Sequence, residues 1–181
     1  MTLEKLRYLI YELGRRLQLR EVHVIGSAAI AATIPTPPEG ELTATRDVDV
    51  IPPNDDERAM DQIDQFMGEG SELDKTTGYY AHGVSSKTPQ YAPRDWKERT
   101  VDVATRTAVG HCMDLHDLVV SKLGAGREKD LTLARELARL GQLKRETLLE
   151  RLESVDCPDE LRKIIAERIA VLPYVEAKKA P

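Results

Sequence analysis

Two aspartates two positions apart, Asp47 and Asp49, stand in the alternating run Arg46-Asp47-Val48-Asp49-Val50-Ile51. Residues two apart on a strand share a face, so both carboxylates point one way and Val48 and Val50 point to the core. Paired carboxylates on a rigid strand suit a hard cation such as Mg²⁺. Side by side they repel, so a cation or a base must neutralise them. Arg46 and Arg99 are alternatives to a metal. Upstream, Val22-His23-Val24-Ile25 ends in Gly26-Ser27 and a small, Ala-rich stretch. A strand, a Gly-Ser turn and a helix start in that order gather free N–H groups at the positive end of a helix dipole, which suits a phosphate. Gly26 lets the backbone come close, and Ser27 adds a hydroxyl donor. A third carboxylate, Asp102, alternates with Val101 and Val103. If its strand lies beside that of Asp47, with neighbours about 4.8 Å apart, three carboxylates converge. They can then hold two Mg²⁺ ions about 3.5–4 Å apart, with Asp102 suited to act as base on an incoming hydroxyl. Blander readings stand beside these: a Gly-Ser turn that only caps a helix, and a strand whose wet face happens to be acidic.

The elements that must position these groups follow from hydrophobic spacing. Leu3 to Leu17 places Leu6, Leu9, Ile10, Leu13 and Leu17 on one helical face, with Thr2 as a cap. Val22 to Ile25 reads as a strand, Ser27 to Thr33 as a helix, and Pro35 to Gly40 as a loop. Asn54 is expected to cap a helix running to about Met67, ended by Gly68 and Gly70. Residues Ser71 to Arg94 are poorly periodic and read as a hairpin or a loop. Arg99 to Thr105 reads as a strand. After His111 the spacing is helical only, over Leu115 to Leu123, Glu128 to Leu140, Lys144 to Val155 and Asp159 to Leu172. The expectation is an α/β (α+β) core over residues 1–110 and a C-terminal helical region over 111–181, as one compact unit.

Composition bounds the class. The chain has 181 residues, 41% hydrophobic and only 4% aromatic, so its core must be mostly aliphatic. The N-terminal residues carry no signal-peptide pattern and no run approaches the roughly 20 apolar residues of a membrane helix. Two cysteines make no disulfide framework. A cytoplasmic, reduced protein away from the membrane is expected. Net charge is −5, which argues against a general nucleic-acid coat. Lys122 to Arg145 nonetheless carries a local excess of four positive charges, either a solvated helix face or a patch that holds a polyanion beside an acidic site. His111, Cys112, Asp114 and His116 cluster, but no second ligand pair at zinc-site spacing follows. Trp96, Tyr91, Tyr79 and Tyr80 are either base-stacking groups or anchors for the middle loop.

Gly26-Ser27, Asp47-x-Asp49 and the later Asp102 together resemble the polymerase-beta-type nucleotidyltransferase superfamily. The stretch His116-Asp117-Leu118-Val119-Val120-Ser121-Lys122-Leu123, then Gly126-Arg127-Glu128-Lys129-Asp130-Leu131, is similar to bacterial nucleotidyltransferase-like proteins of the abortive-infection and type IV toxin kind. The resemblance covers roughly residues 20 to 140. It implies a nucleotidyltransferase-fold mixed sheet flanked by helices, and transfer of a nucleotide from a nucleoside triphosphate to RNA (tRNA) or protein with Mg²⁺. By it, Gly26, Ser27 and Arg46 hold nucleotide, Asp47, Asp49 and Asp102 bind metal, and Lys122 faces the phosphates. Arg127, Lys129 and Asp130 shape the pocket edge. A toxin-like role with an antitoxin partner is implied in the same way. Nineteen residues separate Ser27 from Asp47, longer than the family's spacing, and the Pro-rich stretch Pro35 to Leu42 accounts for it. Two rivals remain: a catalytically silent module of the same fold, in which the three carboxylates fail to converge or that stretch fills the cleft, and an interaction protein that docks through its helices.

Overall fold

The computed structural model describes residues 1–36, 38, 40, 42 and 44–175. Part of the Pro35 to Leu42 stretch, including Pro37, Glu39 and Glu41, lies outside the described residues. The chain is a mixed α/β fold that divides into two compact units. One comprises residues 1–89 and 97–114, and the other 90–96 and 115–181.

The first unit is built on a five-stranded sheet: β1 (Glu21–Ile25), β2 (Asp47–Ile51), β3 (Tyr80–Gly83), β4 (Val101–Ala104) and β5 (Val109–Cys112), in the order β3-β2-β1-β5-β4. β1 pairs antiparallel with β2 and parallel with β5. β3 runs parallel to β2, and β4 is antiparallel to β5. Register sorts the side chains into two faces. Val22, Val24, Val48, Val50, Ala81 and Cys112 form the apolar face and are essentially fully buried. His23, Asp47, Asp49, His82, Asp102 and His111 lie on the other.

Helix α1 (Leu3–Leu17) covers the apolar face. Thr2 caps it by accepting from the Lys5 N–H, and Leu6, Leu9, Ile10 and Leu13 are buried. Gly110 admits Ile10: a Cβ there would lie 2.5 Å from Ile10 Cδ1. Ser27–Ala29 forms a short 3₁₀ turn that runs into α2 (Ile30–Thr33). Helix α3 (Glu57–Met67) is capped by Asp56, which accepts from the N–H groups of Arg58 and Ala59. Asn54, the expected cap, instead sits in a left-handed conformation, φ +58°, inside the short turn before it. Residues 71–94 also depart from expectation. They contain α4 (Glu72–Thr77), capped by Ser71, and the edge strand β3. Both are too short for periodicity to reveal.

The second unit surrounds α5 (Leu115–Ala125), apolar on nearly every side, with α6 (Glu128–Arg139), α7 (Arg145–Glu153) and α8 (Asp159–Ala170). Segment 90–96 packs here: a Cβ on Gly124 would lie 2.5 Å from Tyr91 Cβ, and the Arg94 N–H donates to the Ser154 carbonyl at 3.1 Å. Trp96 is buried and Tyr91 is packed, so both act as anchors for that segment. Cys112 and Cys157 are free thiols. No helix among the described residues is long and apolar enough to cross a membrane.

Gly14 of α1 tests packing against propensity. A Cβ there would lie 2.6 Å from the Thr107 carbonyl oxygen, a backbone atom. Alanine is a better helix former than glycine by about 1 kcal/mol, yet overpacking costs about 1–3 kcal/mol. Gly14→Ala is therefore expected to lower the unfolding free energy measured in urea, and a gain in stability would show that α1 is not held against the β4–β5 turn.

Candidate functional site

The site forms where β1 ends. Gly26 follows β1 with φ +70° and ψ −171°, a region essentially restricted to glycine. Its antiparallel neighbour puts Ile25 opposite Asp49, so the Asp49 carboxylate comes to rest over the turn. A Cβ on Gly26 would lie 2.5 Å from Asp49 Oδ2. Ser27 opens the 3₁₀ turn directly behind it, where the Ala29 N–H donates to the Gly26 carbonyl at 3.1 Å. The Gly26-Ser27 turn and one of the paired carboxylates are thus in contact.

Asp47 sits one repeat along β2 on the same face, and the Thr45 hydroxyl donates to its Oδ1 at 2.6 Å. β3 flanks the pair, with Tyr80 opposite Asp47 and His82 opposite Asp49. Burial, then the charge of Asp47, pushes the Tyr80 phenol above its ordinary pKa. His82 lies between two acids, with Nδ1 3.6 Å from Asp49 Oδ1 and Nε2 3.9 Å from Asp64 Oδ2 of α3. Asp64 also accepts from the Gly83 N–H at 2.7 Å, which ties α3 to the end of β3. Asp49 keeps 27% of its side-chain surface exposed and His82 56%, so solvent and ligands reach both.

Asp102 does not join this pair. β4 is separated from β2 by β1 and β5, about 14 Å across at ordinary strand spacing. The cause is the tight turn from β4 to β5, whose Thr105 N–H and hydroxyl both donate to the Ala108 carbonyl. That hairpin makes β5 the neighbour of β4, and the pairing of β5 with β1 leaves β4 at the edge. Asp102 instead bonds His111, Oδ1 to Nδ1 at 2.7 Å, and the His111 ring lies 5.4 Å from that of His23. Burial, then the charge of Lys97, holds the His23 pKa below its ordinary value. Among the described residues, no three His, Cys, Asp or Glu side chains are grouped to hold a metal ion. The expected three-carboxylate cluster is therefore not formed.

Arg46 is also placed differently from expectation. Its guanidinium donates to Asp74 Oδ1 at 2.7 Å and to the Gly78 carbonyl at 2.9 Å. The Gly70 N–H and that guanidinium hold the Asp74 carboxyl below its ordinary pKa. Arg46 braces the α4–β3 segment.

Lys122, Arg127 and Asp130 meet in the helical unit. Asp130, buried at the start of α6, accepts from Lys122 Nζ at 2.9 Å and from Arg127 Nε at 2.6 Å. Burial pushes Asp130 up, but the bonds from Arg127 and Lys122 outweigh it and its pKa stays below the ordinary value. The sequence motif is thus an ion-paired clasp between α5 and α6. Lys129 is exposed.

His82, Asp64 and Thr45 escaped the sequence reading. The signal for His82 was the alternation Tyr80-Ala81-His82-Gly83; nothing local marked Asp64, which reaches the site only through the packing of α3 on β3.

With this geometry in hand, comparison with known families is informative. The model of the family described as nucleotidyltransferase of unknown function (DUF6036) matches residues 1–178. The chain belongs to this family. No curated protein and no solved structure matches it. Membership makes the chain a nucleotidyltransferase-family protein in general terms and says nothing of its acceptor.

Two substitutions probe these placements. Gly26→Ala forces a costly backbone region and drives a methyl into Asp49. It is expected to cost about 1–3 kcal/mol in chemical denaturation, whereas an unchanged midpoint would mean the turn relaxes freely. Asp130→Asn strips a buried charge from the clasp, with an expected cost of roughly 3–5 kcal/mol at neutral pH. Because the folded pKa of Asp130 is depressed, its contribution is complete above the unfolded value of about 3.9 and fades as pH falls through the lower folded value. Denaturation curves of wild type and variant should converge on the acid side, and a gap that persists unchanged to pH 2 would contradict the assignment.

Proposed function

We propose that this site binds a nucleoside triphosphate and transfers its nucleotide to a hydroxyl of RNA or protein, with Mg²⁺ at Asp47 and Asp49. The observation that carries the reading is the contact between Asp49 and the Gly26 turn, in a chain of a nucleotidyltransferase family. Mg²⁺ usually binds through one or two carboxylates plus substrate phosphates. Two partly exposed carboxylates beside a phosphate-binding turn fit that habit. They do not fit an all-protein cage or a third carboxylate ligand. Bound there, the ion would offset charge on the triphosphate.

The remaining tasks fall to the chain's own groups. The N–H groups behind Gly26 and the Ser27 hydroxyl would hold phosphate oxygens. Thr45, bonded to Asp47, would keep that carboxylate aimed. In the transfer, an acceptor oxygen bonds the α-phosphorus, the bond to pyrophosphate breaks, and the hydroxyl proton must leave. Asp102 lies three strands from Asp49, so the side chain beside Asp49 able to take that proton is His82. A toxin-like role with an antitoxin partner in a bacterial cytoplasm belongs to the same proposal and rests on the resemblance of the stretches His116 to Leu123 and Gly126 to Leu131 alone.

One observation favours a second reading, a nucleotide-binding module that has lost transfer. It is the failure of Asp102 to converge on the pair. Thermal unfolding with each nucleoside triphosphate, with and without Mg²⁺, followed by a labelled-transfer assay, separates the two. Ligand at about 100 times its dissociation constant should stabilise the fold by roughly 2.7 kcal/mol. A Mg²⁺-dependent shift that Asp49→Asn abolishes, together with label transfer, is the expected result. The shift without transfer would leave the silent module. No shift with any nucleotide would sink both.

A further inference from the structure

On the first unit, the outward face of α1 and the β4–β5 turn enclose an open groove of about 630 Å³. Its walls carry Arg7, Tyr8 and Tyr11 from the helix and Arg106 from the turn, with Glu4 at one end. Tyr8 is 44% exposed, the more notable in a chain with only eight aromatic residues. Tyr8 and Tyr11 are three residues apart on one helical face, so their rings succeed one another along the groove. The Arg106 guanidinium lies 5.8 Å from the Tyr11 ring centroid.

The turn is tied to the helix. Thr105 pins the turn by its bond to Ala108, the Thr107 hydroxyl donates to the Tyr11 carbonyl at 2.7 Å, and Gly14 lets Thr107 sit against the helix. Arg106 is thus presented from a braced turn. The lining has one small aliphatic side chain, Ala104. What it offers is an exposed aromatic ring, Tyr8, beside two arginines and one glutamate, with the second ring, Tyr11, already facing the Arg106 guanidinium. Aromatic faces take bases of any identity, and guanidinium groups take the phosphates between them.

We propose that this groove binds single-stranded nucleic acid, with a base stacked on Tyr8 and phosphates against Arg7 and Arg106. Binding stands apart from the transfer chemistry; that the bound strand is the acceptor rests on the reading of the Asp47–Asp49 site given above.

The test is fluorescence anisotropy of a labelled single-stranded RNA ten-mer of mixed sequence over a range of salt, with the matching duplex as control. Tyr8→Ala should weaken binding roughly 5- to 150-fold, the equivalent of the 1–3 kcal/mol a stacked base contributes, while Tyr8→Phe keeps it. Replacing Arg7 and Arg106 together by Gln should flatten the dependence of log affinity on log salt by about 1.4, at about 0.7 per phosphate contact. All three side chains are solvent-facing, and an unchanged urea midpoint confirms that the variants fold. No binding at low salt, equal affinity in wild type and variants, or tighter binding of the duplex would each overturn the proposal. Measuring the Mg²⁺–nucleotide thermal shift on the same variants keeps the two claims separate. RNA binding without any nucleotide effect supports the groove and removes the transfer reading; a nucleotide effect without RNA binding removes the groove.

Discussion

The antiparallel pairing of β1 with β2, in the register that sets Ile25 opposite Asp49, is the constraint on which the site depends. Because side chains alternate, a slip of one residue would turn both aspartates into the core and the valines out. The apolar faces of Val22, Val24, Val48 and Val50, all buried, make that slip prohibitive. The same register brings the Asp49 carboxylate against Gly26, where no side chain larger than hydrogen fits. A core-packing preference in two short strands is thus converted into contact between the Gly26-Ser27 turn and an acidic group.

What was legible in the sequence was local. The alternation of Asp47 and Asp49 with valines, the strand before Gly26, the face of α1 and the helical spacing after His111 are patterns of period 2 or 3.6 within a few residues, and each produced the expected element. What failed was choice of partner. Nothing within the Val101–Ala104 strand says that it will pair outside β5 rather than beside β2; that is decided by a turn at Thr105–Ala108 and by the parallel pairing of β5 with β1. The bonding partners of Arg46 were illegible for a similar reason. Its neighbours in sequence are the acidic pair, but its guanidinium bonds Asp74 and Gly78, some thirty residues on, and lies 5.9 Å from the Tyr80 ring centroid.

The motif from Lys122 to Asp130 shows a different limit. Its residues do come together, yet they satisfy one another. Lys122 Nζ and Arg127 Nε both donate to a carboxylate that is 1% exposed. Such a carboxylate needs both partners to stay ionised, since an isolated buried charge is costly. Spacing reveals that a lysine, an arginine and an aspartate will meet, but not whether they meet around a ligand or around each other.

The position beside Asp49 bears on the chemistry of the whole site. On β3, the strand that does neighbour β2, the residue in register with Asp49 is His82 rather than an acid. A third carboxylate there would add a charge to a pair that already repels itself; an imidazole adds none when neutral and partly offsets the pair when protonated. Arg46, next to the pair in sequence, is bonded to Asp74. A ligand entering over the Gly26 turn with its own divalent cation would relieve the repulsion and its own charge together, which neither a bare phosphate nor a bare metal ion does. On the proposed function, such a complex would suit the site better than either component alone.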